Sequence, residues 1–182
     1  MLRAADTRGF RPVALGDIRV KGDFRFKLKD IETHNVVGLV RGSDANLSSE
    51  AVVFTAHWDH LGLGEPVKGD AIYNGAIDNA TGTAMLIEMA RAWASMEPKP
   101  LRTAYFVAVT AEESGLLGSH YFADHPPLPA GKIAANLNFD SFSPYGQVRD
   151  AVMTGVERTS FFPLAQSVMA RHRLSLLPDG RP

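Results

Sequence analysis

Cysteine is absent from the 182-residue sequence. Disulfides and thiolate ligands are therefore excluded, and any metal must be held by histidine, aspartate or glutamate. There is also little excess of charge of either sign. The 19 Lys and Arg nearly cancel the 20 Asp and Glu, leaving a formal net charge of -1 with no basic run. That removes the electrostatic footprint of a nucleic-acid or anionic-membrane binder, so neither partner is expected. No uninterrupted apolar run is long enough to span a bilayer, and the opening MLRAADTRGF lacks the apolar stretch of a signal peptide. Repeats and low-complexity tracts are missing too. What is present, 45% hydrophobic and 21% charged residues, is the composition of one globular domain with a real core.

The chain is organised around residues 51–60, AVVFTAHWDH. The apolar, β-branched and aromatic run reads as a buried central strand that delivers His57, Asp59 and His60 at its end. In open α/β sheets, side chains at strand ends converge on a crevice instead of packing into the core. Residues 1–21, with mixed charges and scattered Gly and Pro, form a lead-in segment. Alternation of Phe24, Phe26 and Leu28 with Arg25 and Lys27 predicts an edge strand over 23–29, and NVVGLVR a second strand over 35–41. Residues 61–79 carry too many glycines for a regular element and are expected to be one long functional loop. Leu86, Met89, Ala90 and Trp93 then mark a helix face, ordinarily core packing, up to Met96. Further strands are expected over 103–110, 133–139 and 148–154, with helices over 116–124 and 160–173. The fold class is α/β, a three-layer sandwich whose mixed, mostly parallel central sheet is flanked by helices.

Three of these strands finish in ionisable groups: His57 and Asp59, then Glu112 and Glu113, then Asp140. Asp78 ends the long loop. A lone carboxylate at a strand end is usually just solvated. Five aimed at one place with a histidine need compensation, which divalent cations supply. His60 is assigned to the loop or to an outer position, because a third ligand from one tight turn would crowd the metal. His34, His120, His125 and His172 are read as surface groups.

The segments HWDH, GAIDNATG, AEESGLLGS and NLNFDS, in this order and at these spacings, resemble the M28 family of zinc aminopeptidases. The resemblance covers roughly residues 35–155 and implies a zinc-exopeptidase fold with two Zn2+ per complete site. It implies that His57 and Asp140 bind one zinc, that Glu113 belongs to the second, and that Asp78 bridges the pair. Glu112 would be the general base, Asp59 would orient the His57 imidazole, and the Asp78–Asn79 peptide would be cis. The substrate implied is a peptide or aminoacyl compound cleaved at its N-terminal bond. Full-length relatives are expected to be secreted or periplasmic, while the localisation of this chain stays open.

The sequence departs from that family at its ends. The pattern calls for a further histidine well downstream of NLNFDS, and LLPDGRP is reached without one. The expectation is an incomplete peptidase domain over 22–182, a second zinc with two protein ligands and weak occupancy, and self-association through uncovered apolar surface. His120 or His125, or a neighbouring chain, is an alternative source of the ligand. The competing functional readings are an inactive binding module of the same fold and a single-zinc glutaminyl cyclase.

Overall fold

Seven residues, Ala51–His57, form the strand on which the domain is built, and six of them are buried, including His57. The structure, a computed structural model, describes residues 8–11, 14, 16–26, 30–140, 142–143 and 146–178. In chain order the strands are β1 (Val36–Val40), β2 (Ala51–His57), β3 (Gly62–Val67), β4 (Asp70–Tyr73), β5 (Thr103–Val109), β6 (Ile133–Asn138), β7 (Asp150–Val152) and β8 (Ser175–Leu177). The α-helices are α1 (Thr81–Ser95), α2 (Leu117–Asp124) and α3 (Phe162–Arg171). Among the described residues, no helix is long and apolar enough to cross a membrane.

The main sheet has four strands in the order β1-β5-β2-β6. β2 runs parallel to both β5 and β6, and β1 lies antiparallel on the outside of β5. This is the mixed, mostly parallel sheet expected from the sequence, with β2 and β5 sheltered on both faces. Side chains alternate across β2. Phe54 and Ala56 face one way, where Leu86, Met89, Ala90 and Trp93 of α1 close over them with Phe106. The Phe54 ring meets Trp93 edge-on at 5.3 Å and stacks with Phe106 at 5.4 Å. Val53 faces the other way, packing with Val107, Val109 and Phe122 of α2. Helices on both faces make three layers, and the Met and Trp stripe is core, as its spacing implies.

Parallel pairing of β2 with β5 and β6 fixes where the chemistry collects. His57 pairs with Val109, and Thr55 with Asn138. The three strands therefore end side by side, two or three residues before Asp59, Glu112 and Asp140. Thr55 reinforces the register, donating from Oγ1 to Asn138 Oδ1 at 2.7 Å.

Three expectations need correcting. Residues 23–26 form no strand, although Phe24 and Phe26 stack on each other at 6.4 Å; residues 27–29 lie outside the described residues. Alternation makes a strand only where a neighbouring edge supplies the hydrogen-bond ladder. The chain divides into two compact units, Met1–Glu32 and Thr33–Pro182. Residues 61–79 are not one irregular loop, because β3 and β4 form an antiparallel hairpin. Its two-residue turn, Lys68-Gly69, has positive φ at both positions (53° and 90°), the geometry whose twist suits a tight hairpin. The strand expected over 148–154 is the short β7, which pairs in parallel with β8 outside the main sheet.

Candidate metal centre

His57 is fixed from three sides. It is 2% exposed, and its carbonyl accepts a hydrogen bond from Thr83 Oγ1 of α1 at 3.1 Å. Its ring Nδ1 lies 3.1 Å from the main-chain carbonyl oxygen of Asp59 and so carries the proton. That leaves the Nε2 lone pair facing Asp78 Oδ1 at 2.9 Å and Asp140 Oδ1 at 3.4 Å. A lone pair set against two carboxylates is repulsive unless a proton or a cation sits between them. Without a cation, burial opposes charge on the imidazole. The Asp59 carbonyl and the Asp140, Glu112 and Asp78 carboxylates outweigh burial, and the pKa is raised above the usual histidine value.

Asp78 is carried by the turn that feeds α1. A wide turn closed by Ala80 N–H to Gly75 O (3.0 Å) presents it, and the Asp78–Asn79 peptide is cis, as the resemblance implied. Asn79, 1% exposed, clamps this turn. Its Nδ2 donates to Phe139 O at 2.8 Å, and its Oδ1 accepts from Gly82 N–H at 2.9 Å. One carboxamide thus ties the Asp78 turn to the residue preceding Asp140. A Cβ on Gly82 would lie 2.4 Å from Asn79 Oδ1 and 2.7 Å from Phe139 O, so only glycine fits.

After β5, Ala111 adopts positive φ (52°) and reverses the chain. Gly118 at the start of α2 then bonds back to Thr110 O at 2.9 Å. The reversal sends the adjacent glutamates to different partners. Glu113 Oε1 lies 2.7 Å from His60 Nδ1. Glu112 lines a pocket of about 330 Å³ together with His57, Asp140 and the apolar Leu116 and Phe122. Burial raises the Glu112 pKa, and the carboxylates of Glu113, Asp140 and Asp78 add to this against the opposing pull of His57. A carboxylate made more basic in this way suits proton abstraction.

Two groups of possible ligands result: His57, Asp78 and Asp140, and His60, Asp78 and Glu113. Within each group the ligand atoms lie within 4.8 Å of one another, and Asp78 belongs to both. For bonds of about 2.0–2.1 Å, tetrahedral geometry separates two ligand atoms by about 3.3 Å, close to the His57–Asp140 spacing. Imidazole with carboxylates is a donor set that zinc accepts.

The structure thus gathers Glu112 and all four residues to which the resemblance gave metal-binding roles. It differs over Asp59. The Asp59 atom facing the imidazole is the main-chain carbonyl; the carboxylate stays 3.9 Å from Nδ1. That carboxylate instead accepts the Glu112 backbone N–H, at 3.1 and 3.3 Å, because the reversal at Ala111 aims this amide at it. His60, expected in the loop or an outer position, hydrogen-bonds Glu113 and falls among the second group of possible ligands. The close fit of Gly75 over it, where an added Cβ would come within 2.7 Å of His60 Cβ, is a contact that spacing along the chain does not reveal. His120 and His125 are exposed on and just after α2 and belong to neither group. Ser141 of the NLNFDS motif lies outside the described residues.

Comparison with known proteins gives the family and the fold. The family model described as Peptidase family M28 matches residues 35–179. A probable zinc metalloprotease of Leptosphaeria maculans is 33% identical over 110 residues, 60% of this chain and 24% of that protein. Aminopeptidase YwaD of Bacillus subtilis is 35% identical over 95 residues, 51% of this chain and 18% of that protein. The chain therefore spans a quarter or less of the length of these curated relatives. The solved LapA aminopeptidase of Legionella pneumophila shares the fold with a TM-score of 0.58 at 22% identity, over 79% of this chain and 36% of that one.

Proposed function

The chain belongs to peptidase family M28, and on that premise we propose that it carries the metal-binding half of a zinc aminopeptidase site that releases the N-terminal residue of peptides. The observation behind this reading is the meeting of His57, Asp78, Glu113 and Asp140, far apart in sequence, in two cation-sized groups sharing Asp78. His57, Asp78 and Asp140 would hold one zinc, and Glu113 with Asp78 would contribute to a second. Zinc bound there would supply Lewis acidity, polarising the scissile carbonyl and lowering the pKa of attacking water. The protein's own residues do the rest. Glu112, beside His57 and Asp140 in the pocket, takes the proton from the attacking water and returns it to the departing amine. Asp59 holds the Glu112 main chain in place, while its own carbonyl keeps the His57 imidazole in the tautomer that presents Nε2.

The test is hydrolysis of aminoacyl anilides by the purified chain supplied with zinc. The expected result is turnover that a chelator removes, zinc restores and Glu112→Gln abolishes. Cyclisation of an N-terminal glutamine peptide without anilide hydrolysis would point to the cyclase reading. Zinc binding without either reaction would point to a binding module.

A further inference from the structure

We infer that Asn35 is a positioning residue for Glu112 and Glu113, its carboxamide closing the neck of the loop that carries both; this rests on the zinc-peptidase reading above, which gives those two side chains their roles. β1 and β5 pair from Val40 opposite Ala104 to Val36 opposite Ala108, and there the backbone ladder between them stops. The Asn35 side chain takes over. Its Oδ1 accepts the Thr110 N–H at 3.0 Å, and its Nδ2 donates to the Gly118 carbonyl oxygen at 2.8 Å. The Gly118 N–H in turn donates to the Thr110 carbonyl at 2.9 Å, so three hydrogen bonds join the two ends of residues 111–117. Two of the three belong to one side chain. The fit is close, since a Cβ on Gly118 would lie 2.5 Å from Asn35 Oδ1 and 2.6 Å from Thr110 N.

The loop needs such a hold. Ala111 and Leu116, neither of them glycine, sit at positive φ (52° and 61°), a conformation that persists only where the surroundings enforce it. Within the loop, the Gly115 and Leu116 N–H groups bond to Glu112 O and the Leu117 N–H to Ala111 O, so a shift at the neck carries Glu112 with it. The residues before Asn35 tie the same region: Thr33 Oγ1 lies 2.7 Å from Thr110 Oγ1, and His34 O accepts from Nε1 of Trp58, next to His57, at 3.2 Å. The competing reading is that Asn35 merely ends β1. Ending a strand needs only a polar group of this shape, which ionised aspartate supplies; closing the neck needs a donor toward Gly118 O, which ionised aspartate lacks.

The experiment compares the natural chain with Asn35→Ala, Asn35→Asp and, as a control for lost stability alone, Met89→Ala, which trims the core on the α1 face of the sheet. Amide hydrogen exchange of the metal-free chains reads the loop directly. The Glu112, Leu117 and Gly118 N–H groups, none of them bonded to Asn35 itself, should exchange about 10-fold or more faster in both Asn35 variants, relative to the amides of β2 and β5. Met89→Ala should show no such difference between loop and strands. With saturating zinc and an aminoacyl anilide, both Asn35 variants should lose about 10–100-fold in kcat, the effect of a misplacement of about 1 Å, with KM within about 3-fold of the natural value. The inference is overturned if the loop amides accelerate only in step with β2 and β5, if aspartate matches the natural asparagine, or if kcat falls no further than in Met89→Ala. A natural chain that hydrolyses no anilide removes the peptidase reading instead, and the exchange rates alone then decide whether Asn35 holds the loop.

Discussion

Replacing Asn79 with alanine tests whether the site is assembled by a single buried carboxamide. The side chain bonds Phe139 O at 2.8 Å and Gly82 N–H at 2.9 Å, and the residue is 1% exposed. Alanine leaves both main-chain groups without this partner. The Gly82 amide is buried, so its loss costs about 1–3 kcal/mol, and the less buried Phe139 carbonyl adds about 0.5–1.5 kcal/mol. The total, about 1.5–4.5 kcal/mol, corresponds to a drop in Tm of about 3–18 °C for a chain of this size. The measurement is thermal unfolding in chelator, which separates architecture from metal binding. Asn74→Ala is the control, since Asn74 is exposed and bonds only the nearby Ile72 carbonyl at 3.2 Å. Because Asn79 joins the turn bearing Asp78 to the residue before Asp140, zinc affinity should fall in the same variant. A Tm within a degree or two of the control, or unchanged zinc affinity, would show that Asn79 does not hold these two carboxylates together.

Glu112→Gln should lower kcat by about 10²–10⁴ while zinc stoichiometry stays the same, since Glu112 belongs to neither ligand group; loss of a zinc ion would make it a ligand. Asp59→Ala should lower kcat through a displaced Glu112, with zinc affinity nearly unchanged because the main-chain carbonyl facing His57 remains, and Asp59→Asn should recover most of the rate. A fall of about 10–100-fold in zinc affinity for Asp59→Ala would mean that the carboxylate acts through the imidazole after all. For the metal-free chain, the raised His57 pKa makes the native state bind more protons than the unfolded one. Its stabilisation is therefore complete below the unfolded histidine pKa and is lost as pH rises through the folded value. Zinc must displace that proton, so affinity should rise with pH across the same window, with proton release seen by calorimetry in buffers of different ionisation enthalpy. A zinc affinity independent of pH there would contradict the arrangement around Nε2.

Much of this protein was legible along the chain because its signals are local. The β-branched run ending at His57 and the apolar face of Leu86 to Trp93 each specify an element through period and propensity, and each element formed. The four motifs also carried the identity of most of the site, since parallel strands that end together bring their last residues to one crevice whatever lies between them. What the chain alone could not settle depends on neighbours. Among the described residues the alternation at 23–26 forms no strand, and two positive-φ residues at 68 and 69 turned a glycine-rich loop into a hairpin. Which Asp59 oxygen meets His57, and that His60 reaches Glu113 beside Gly75, are matters of tertiary contact at the reversal of Ala111 and the bare backbone of Gly75. Such contacts join residues tens of positions apart at distances of a few ångströms. Sequence spacing carries no record of them; only packing of the folded backbone brings them about.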